Sequence, residues 1–418
     1  MNAAPVPLAP VGEGERLPVL DVARGFALLG ILLMNMEGFF GPPVVAVGGL
    51  DPALRGADRW ADAAIYILVQ GKFYALFSLL FGMGFAVMGA RADAAGRRFD
   101  GLYLRRSGAL LGIGLGHALL LWSGDVLASY ALLSLPLLVL GRRLSRDGLL
   151  ALAAYLFVLV PLLLFALGLF GSMQKGTEAW RHAVAAGTRE YLDTLQAQRQ
   201  AYGQGGWMQA TAQRVRDLGQ ALCWLPLLGL PPLAMFLLGA WGVRAGVLAD
   251  PARWTRLYAA LRQGALPLGL ALMLASFALA PATPLLDPDL REGTAAALAR
   301  IASGSMCLGY FAWLARALQS PAWAPRLAWL APAGRMALSN YLLQSLLCTS
   351  LAYGYGLGLF GRVPRAWQVV LALALYALQL LASRWWLARF RFGPAEWLWR
   401  SLTYLRPQPM RRAAPAGA

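Results

Sequence analysis

Cysteine and histidine are nearly missing from this chain. Its three cysteines, Cys223, Cys307 and Cys348, lie far apart in apolar stretches with no CxxC or Cys/His spacing, which argues against a disulfide scaffold and a zinc site. With His117 and His182 as the only histidines, a multi-histidine metal or haem centre is close to excluded as well, and no metal site is expected. Charge is also scarce: 14% of the 418 residues are charged and 59% are hydrophobic, against about 25% and 45–50% in soluble domains. The signatures of soluble enzymes are absent, with no Walker loop, no GxGxxG after a strand, no GxSxG and no HExxH. The N-terminal stretch has no basic region ahead of its apolar run, and that run carries Asp21 and Arg24. It reads as a retained first helix, not a cleaved signal peptide.

What the chain has in abundance is apolar runs near the roughly 20 residues that a helix needs to cross a hydrocarbon core of about 30 Å. They predict an all-α polytopic transmembrane helix bundle of ten spans, at 18–40, 66–90, 107–122, 125–141, 148–171, 221–243, 264–281, 294–315, 336–359 and 367–387. With the N-terminus in the cytoplasm, the inner connectors and C-terminal tail carry 22 basic and 5 acidic residues, and the outer connectors 11 of each. That asymmetry follows the positive-inside rule and gives an N-in/C-in topology. It also accounts for most of the net charge of +17 without a nucleic-acid partner, leaving the lipid bilayer as the expected partner. The organisation expected is a five-helix part at 1–171, an extracytoplasmic loop at 172–217, a second five-helix part at 218–406 and a disordered tail at 407–418, with 1–15 disordered too. Loop 172–217 reads as short polar helices broken by glycine, either capping a cavity or serving as a solvated connector. Residues 56–73 open amphipathically, as a segment along the outer interface would. No internal repeat is clear enough to indicate an inverted-repeat transporter. The oligomeric state stays open, a homodimer included.

Ionisable groups at membrane depth are costly, which makes them candidates for function. The first span offers Asp21, Arg24, Asn35 and Glu37. Asp21 and Arg24 are three apart and can pair, and Asn35 lies almost three turns beyond Arg24 on the same face. The stripe either lines a path or orients the helix by an interfacial pair. A second constellation, GLGHALLLWSGDVLASYAL, sets His117 a turn or two below a hairpin that carries Asp125. A carboxylate beside an imidazole fixes its tautomer and stabilises the imidazolium, as a general base requires; an intramembrane histidine also serves as a simple helix–helix hydrogen bond. Lys72 stands at a membrane boundary ahead of Ser78, Gly82 and Gly84, small residues suited to close packing. Arg335 marks the inner end of span nine, followed by Asn340 and Gln344, four apart on one face. These either line a polar cavity or join helices.

The blocks RLPVLDVARGFALLGILLMNM, GKFYALFSLLFGMGF, GLGHALLLWSGDVLASYALL and GRMALSNYLLQSLLCTSLAYGYGLGLFGR with RWWLARFRFGPAEWLWRSLTY resemble the YeiB family, whose C-terminal half is the DUF418 domain. The resemblance covers the chain apart from 172–217 and the extreme termini. By its N-terminal block the family is grouped with transmembrane acyltransferases, including the heparan glucosaminide acetyltransferase and the acyltransferase-3 proteins. The positions that match are Asp21, Arg24, Gly25 and Asn35. The resemblance implies an inner-membrane enzyme that takes an acyl group from cytoplasmic acyl-CoA, as donor substrate, to a small-molecule or glycan hydroxyl or amine on the far side. His117, oriented by Asp125, would then be the base, and Asn35 or Asn340 the partner of the thioester carbonyl. Arg105, Arg106, Arg142 and Arg143 would attract the donor's phosphates. The heparan enzyme's proposed catalytic histidine follows its first span, and EGFFGPPVVAVGGLDPALRGADRW has none. Either His117 supplies that role from another helix or the mechanism differs, a permease with a polar path or a stabilising partner being the other classes.

Overall fold

The computed structural model describes residues 17–46, 49–281 and 287–412. The described residues form helices and no strand, apart from isolated bridges such as that between Phe390 and Arg411. The expectation of disorder at 1–15 and 413–418 lies outside the described residues.

The elements are α1 (Pro18–Phe40), α2 (Gly56–Leu68), α3 (Lys72–Ala94), α4 (Phe99–Leu120), α5 (Leu127–Arg143), α6 (Arg146–Gln174), α7 (Glu178–Gly203), α8 (Trp207–Leu228) and α9 (Leu230–Arg244). They continue as α10 (Thr255–Ala260), α11 (Leu266–Leu279), α12 (Leu290–Ala317), α13 (Ala324–Leu327), α14 (Ala331–Arg335), α15 (Ala337–Ala352), α16 (Arg365–Arg389) and α17 (Pro394–Tyr404). A π-turn at Leu261–Ala265 joins α10 to α11, next to Pro267, which lacks the amide that a regular α-turn would use. Among the described residues, six stretches are long and apolar enough to cross a membrane, or seven if α8 and α9, bent by 56°, count as one span. Ten were expected. The shortfall sits in α4, whose first two turns carry Asp100, Arg105 and Arg106, and in α5 and α15, which at 17 and 16 residues reach only about 25 Å. Many large apolar side chains of α6 and α16 are exposed, Leu162, Phe170 and Leu378 among them, as befits surfaces that meet lipid.

Several sequence expectations need correction. Loop 172–217 is not a set of broken helices: α7 runs unbroken through Gly187, started by Thr177, whose hydroxyl accepts from Trp180 N at 3.3 Å. One interior glycine costs only about 1 kcal/mol, too little to stop a capped helix. The expected sixth span is broken at Gly229, where Pro231 and Pro232 end the run of amides that would have continued α8. Span nine stops at Ala352 rather than 359. Residues 407–412 are not a free tail, because Met410 O accepts from Arg391 N at 2.8 Å and Gln408 O from Trp397 Nε1 at 2.7 Å.

Two helix contacts depend on glycine. A Cβ on Gly82 of α3 would lie 1.9 Å from Phe236 O, and one on Gly239 of α9 would lie 2.1 Å from Leu79 O. The two backbones therefore meet without side chains between them, as small residues allow in membranes. The same holds where α1 meets α14: a Cβ on Gly25 would strike Leu330 O and one on Gly334 would strike Asp21 O.

Candidate functional site

The α4–α5 hairpin assembles the most enclosed polar pair. α4 closes at His117, whose carbonyl accepts from both Leu121 N and Trp122 N. The turn then returns Asp125 to the same depth. Asp125 Oδ2 accepts from Ala128 N at 2.6 Å, capping the start of α5, and Oδ1 lies 2.7 Å from His117 Nδ1. Both side chains are fully buried. A carboxylate only accepts, so Nδ1 carries the proton and Nε2 is left as the basic nitrogen. Nε2 is buried and has no hydrogen-bond partner among the described residues. The Tyr341 ring lies 5.0 Å from the imidazole and Trp122 lies 6.5 Å away, edge-on. Trp122 ties this hairpin to α1, its ring tilted by 43° against Phe39 at 4.3 Å, and donates to Gly38 O at 3.2 Å. Asn35 sits one turn inward of Phe39 on the same face of α1.

The hairpin is covered from outside by α7 and α8, through residues that the sequence did not single out. Asp217 Oδ2 accepts from Tyr202 OH at 2.5 Å and from Ser123 Oγ at 3.1 Å, while Oδ1 accepts from Gln198 Nε2 and Gln213 Nε2. Burial, and then the Asp217 carboxylate, push the Tyr202 hydroxyl above its ordinary value, so it remains a donor. Arg214 is wholly buried, donating to Leu120 O at 3.1 Å and Tyr355 OH at 2.8 Å. Only the spacing of Gln213, Arg214 and Asp217 at the foot of α8 hinted at an inward polar face.

The other sequence candidates separate into distinct places. Asp21 and Arg24 do pair, at 3.1 Å, and Arg24 reaches to 3.8 Å from the Cβ position of Gly84 on α3. Glu37 belongs to an outer network with two residues not anticipated: Arg365 lies 3.5 Å from Glu37 and 2.9 Å from Asp62, and is 5% exposed. Lys72 is buried, and its Nζ donates to Tyr66 O at 2.8 Å. Asn340 and Gln344 join helices: Asn340 Nδ2 donates to Ser383 Oγ and Gln344 Nε2 to Gln379 Oε1. Arg106 stacks 3.7 Å over the Trp399 ring, Arg142 is shared by Asp93 and Asp100, and Arg105 and Arg143 are exposed. Arg335 is half-buried at the end of α14. Arg300 was overlooked although it lies within a predicted span and the rule that selected Asp21 applies to it equally.

These features define an all-helical membrane protein whose most enclosed ion pair, among the described residues, is the histidine–carboxylate pair beneath α7 and α8. Its family is shown by sequence: the family model described as "Protein of unknown function (DUF418)" matches residues 242–406. The uncharacterized protein YxaH of Bacillus subtilis (strain 168) is 33% identical over 97% of this chain and 98% of its own length. The uncharacterized protein YeiB of Escherichia coli (strain K12) is 33% identical over 96% and 98%. The chain belongs to this YeiB/DUF418 family, as the sequence blocks implied. No solved structure matches.

Proposed function

We propose that the protein is an inner-membrane acyltransferase in which His117 is the general base and Asp125 its orienting partner. The observation that carries this reading is the 2.7 Å contact of His117 Nδ1 with a doubly anchored carboxylate, which leaves Nε2 available. In the step proposed, Nε2 takes the proton of an acceptor hydroxyl or amine as that atom bonds to the thioester carbonyl carbon. The tetrahedral adduct collapses with loss of the coenzyme A thiolate, which takes the proton back from the imidazolium. Because Nε2 is buried, access to it requires the side chains around it, Trp122 and Tyr341 among them, to move aside. A permease reading draws on a separate observation, the 56° break between α8 and α9, since broken helices surround the substrate sites of many transporters.

The test uses protein purified in detergent, coenzyme A as the binding probe and a series of acyl-CoA thioesters with thiol release as the readout. The enzyme reading expects coenzyme A to raise the unfolding temperature. It also expects His117→Ala to slow thiol release by roughly 10²–10⁴-fold with coenzyme A stabilisation kept. No coenzyme A stabilisation, or full turnover in His117→Ala, would move the assignment to the permease.

A further inference from the structure

At the elbow between α8 and α9, a cavity of about 50 Å³ is lined by Gly71, Tyr74, Arg300 and Ser303 together with the apolar Leu228 and Pro231. Arg300 is the eleventh residue of α12, about 15 Å along the helix from its first residue. Arg300 is exposed, its side chain has no hydrogen bond or ion pair among the described residues, and its electrostatic neighbours are the hydroxyls of Tyr74 and Tyr66. Lys72, buried at the start of α3, is already held by Tyr66 O at 2.8 Å and leaves Arg300 as the charge that the cavity presents. A guanidinium that far along a membrane-crossing helix is expensive unless an anion joins it. The cavity is bordered by the first turn of α3, whose N-cap Gly71 has φ +80° and supplies no side-chain cap; the Lys72 amide donates to Val69 O at 3.1 Å, which leaves the amides of Phe73 and Tyr74 to accompany the guanidinium.

We propose that this cavity binds the oxyanion head of a phosphate- or carboxylate-bearing molecule, with Arg300 as its ion-pair partner and the start of α3 as the second donor group. The volume sets the size: about 50 Å³ holds three or four water-sized groups, taking about 10–15 Å³ each. That suits an oxyanion and excludes a whole nucleotide. The remainder of the ligand lies outside; the apolar lining residues Phe157, Pro231 and the exposed Leu228 suit an acyl chain attached to that head. The site is distinct from His117 and does not depend on the acyl-transfer reading.

The experiment titrates detergent-purified protein with phosphatidylglycerol, with phosphatidylcholine and with inorganic phosphate, reading thermal unfolding, and counts retained lipids by native mass spectrometry. Phosphatidylglycerol should stabilise the wild type and remain bound, phosphatidylcholine should not, and Arg300→Gln should weaken the apparent affinity by about 10–100-fold, the usual loss of a charge-assisted hydrogen bond. Arg300→Lys, which keeps the charge and loses the fork, should fall between, and Arg256→Gln, exposed on α10, should match the wild type. Stabilisation by phosphate alone, lost in Arg300→Gln, assigns the site to a soluble anion. If Arg300→Gln folds and responds to both anions as the wild type does, or if neither anion binds the wild type, the proposal is wrong. Should Arg300→Gln fail to fold, a wild-type response in Arg300→Lys to both anions has the same consequence.

Discussion

Glu396 shows what burial does to a carboxyl group outside the membrane-spanning helices. It sits on the first turn of α17, where Oε1 accepts from Leu338 N at 2.7 Å and Ser339 N at 3.1 Å, and Oε2 from Ser339 Oγ at 2.5 Å. It thus caps α15 from another helix. Desolvation raises its pKa above the ordinary 4.5, and the hydrogen bonds from Ser339 and Leu338 oppose that rise without cancelling it. A carboxyl raised in the folded state binds its proton more tightly there than in the unfolded chain, so its contribution is full at low pH and is lost as pH rises from that ordinary value through the folded one. Glu396→Gln does not titrate, so thermal unfolding should show the variant gaining on the wild type between pH 4 and 8; a constant gap would show that the shift is absent. Nothing in the sequence marked Glu396, because its partners lie 57 and 58 residues away. The same distance problem hid Arg365 and Asp62, 303 residues apart, while the sequence could flag Glu37 alone. His117 and Asp125 were legible because only eight residues separate them and a tight hairpin is a local event.

The helices themselves were more readable than their contacts. α1 occupies 18–40 as expected, since a long apolar run with proline at its start needs no tertiary information. The misreadings fell where tertiary packing decides: the elbow at Gly229, the unbroken α7, and the chain end held against Arg389–Arg391. Glycines on one helix also differ in ways the sequence conceals. A methyl group added at Gly82 would meet Phe236 O at 1.9 Å, whereas one added at Gly84 would have its nearest neighbour at 3.8 Å. Gly82→Ala should therefore cost about 1–3 kcal/mol or more through forced separation of α3 and α9, seen as a lower unfolding temperature and reduced yield. Gly84→Ala should stay within about 0.5 kcal/mol of the wild type. Equal tolerance of the two would mean that α3 and α9 do not touch backbone to backbone.

On the scale of the whole molecule, charge placement is the quantity that the sequence holds most completely, because topology follows from counts and needs no contacts. The 22 basic residues on one side against 11 on the other orient α7 and the start of α8 toward the outside and the start of α6 toward the cytoplasm. In a background without Cys223, Lys175→Cys in intact cells should react with a membrane-impermeant maleimide and Arg143→Cys should not. The opposite pattern would invert the bundle and place the His117 cover in the cytoplasm.

The packing of α1 against α14, α15 and α16 has a consequence for synthesis. Gly25 and Gly334, which meet backbone to backbone, are separated by 309 residues, roughly 15–60 s of translation at 5–20 residues per second. For that interval the nascent first helix holds Asp21, Arg24 and Glu37 without the surfaces that later shelter them. An insertase or the translocon wall has to substitute for α14 and α16 until the ribosome has delivered them.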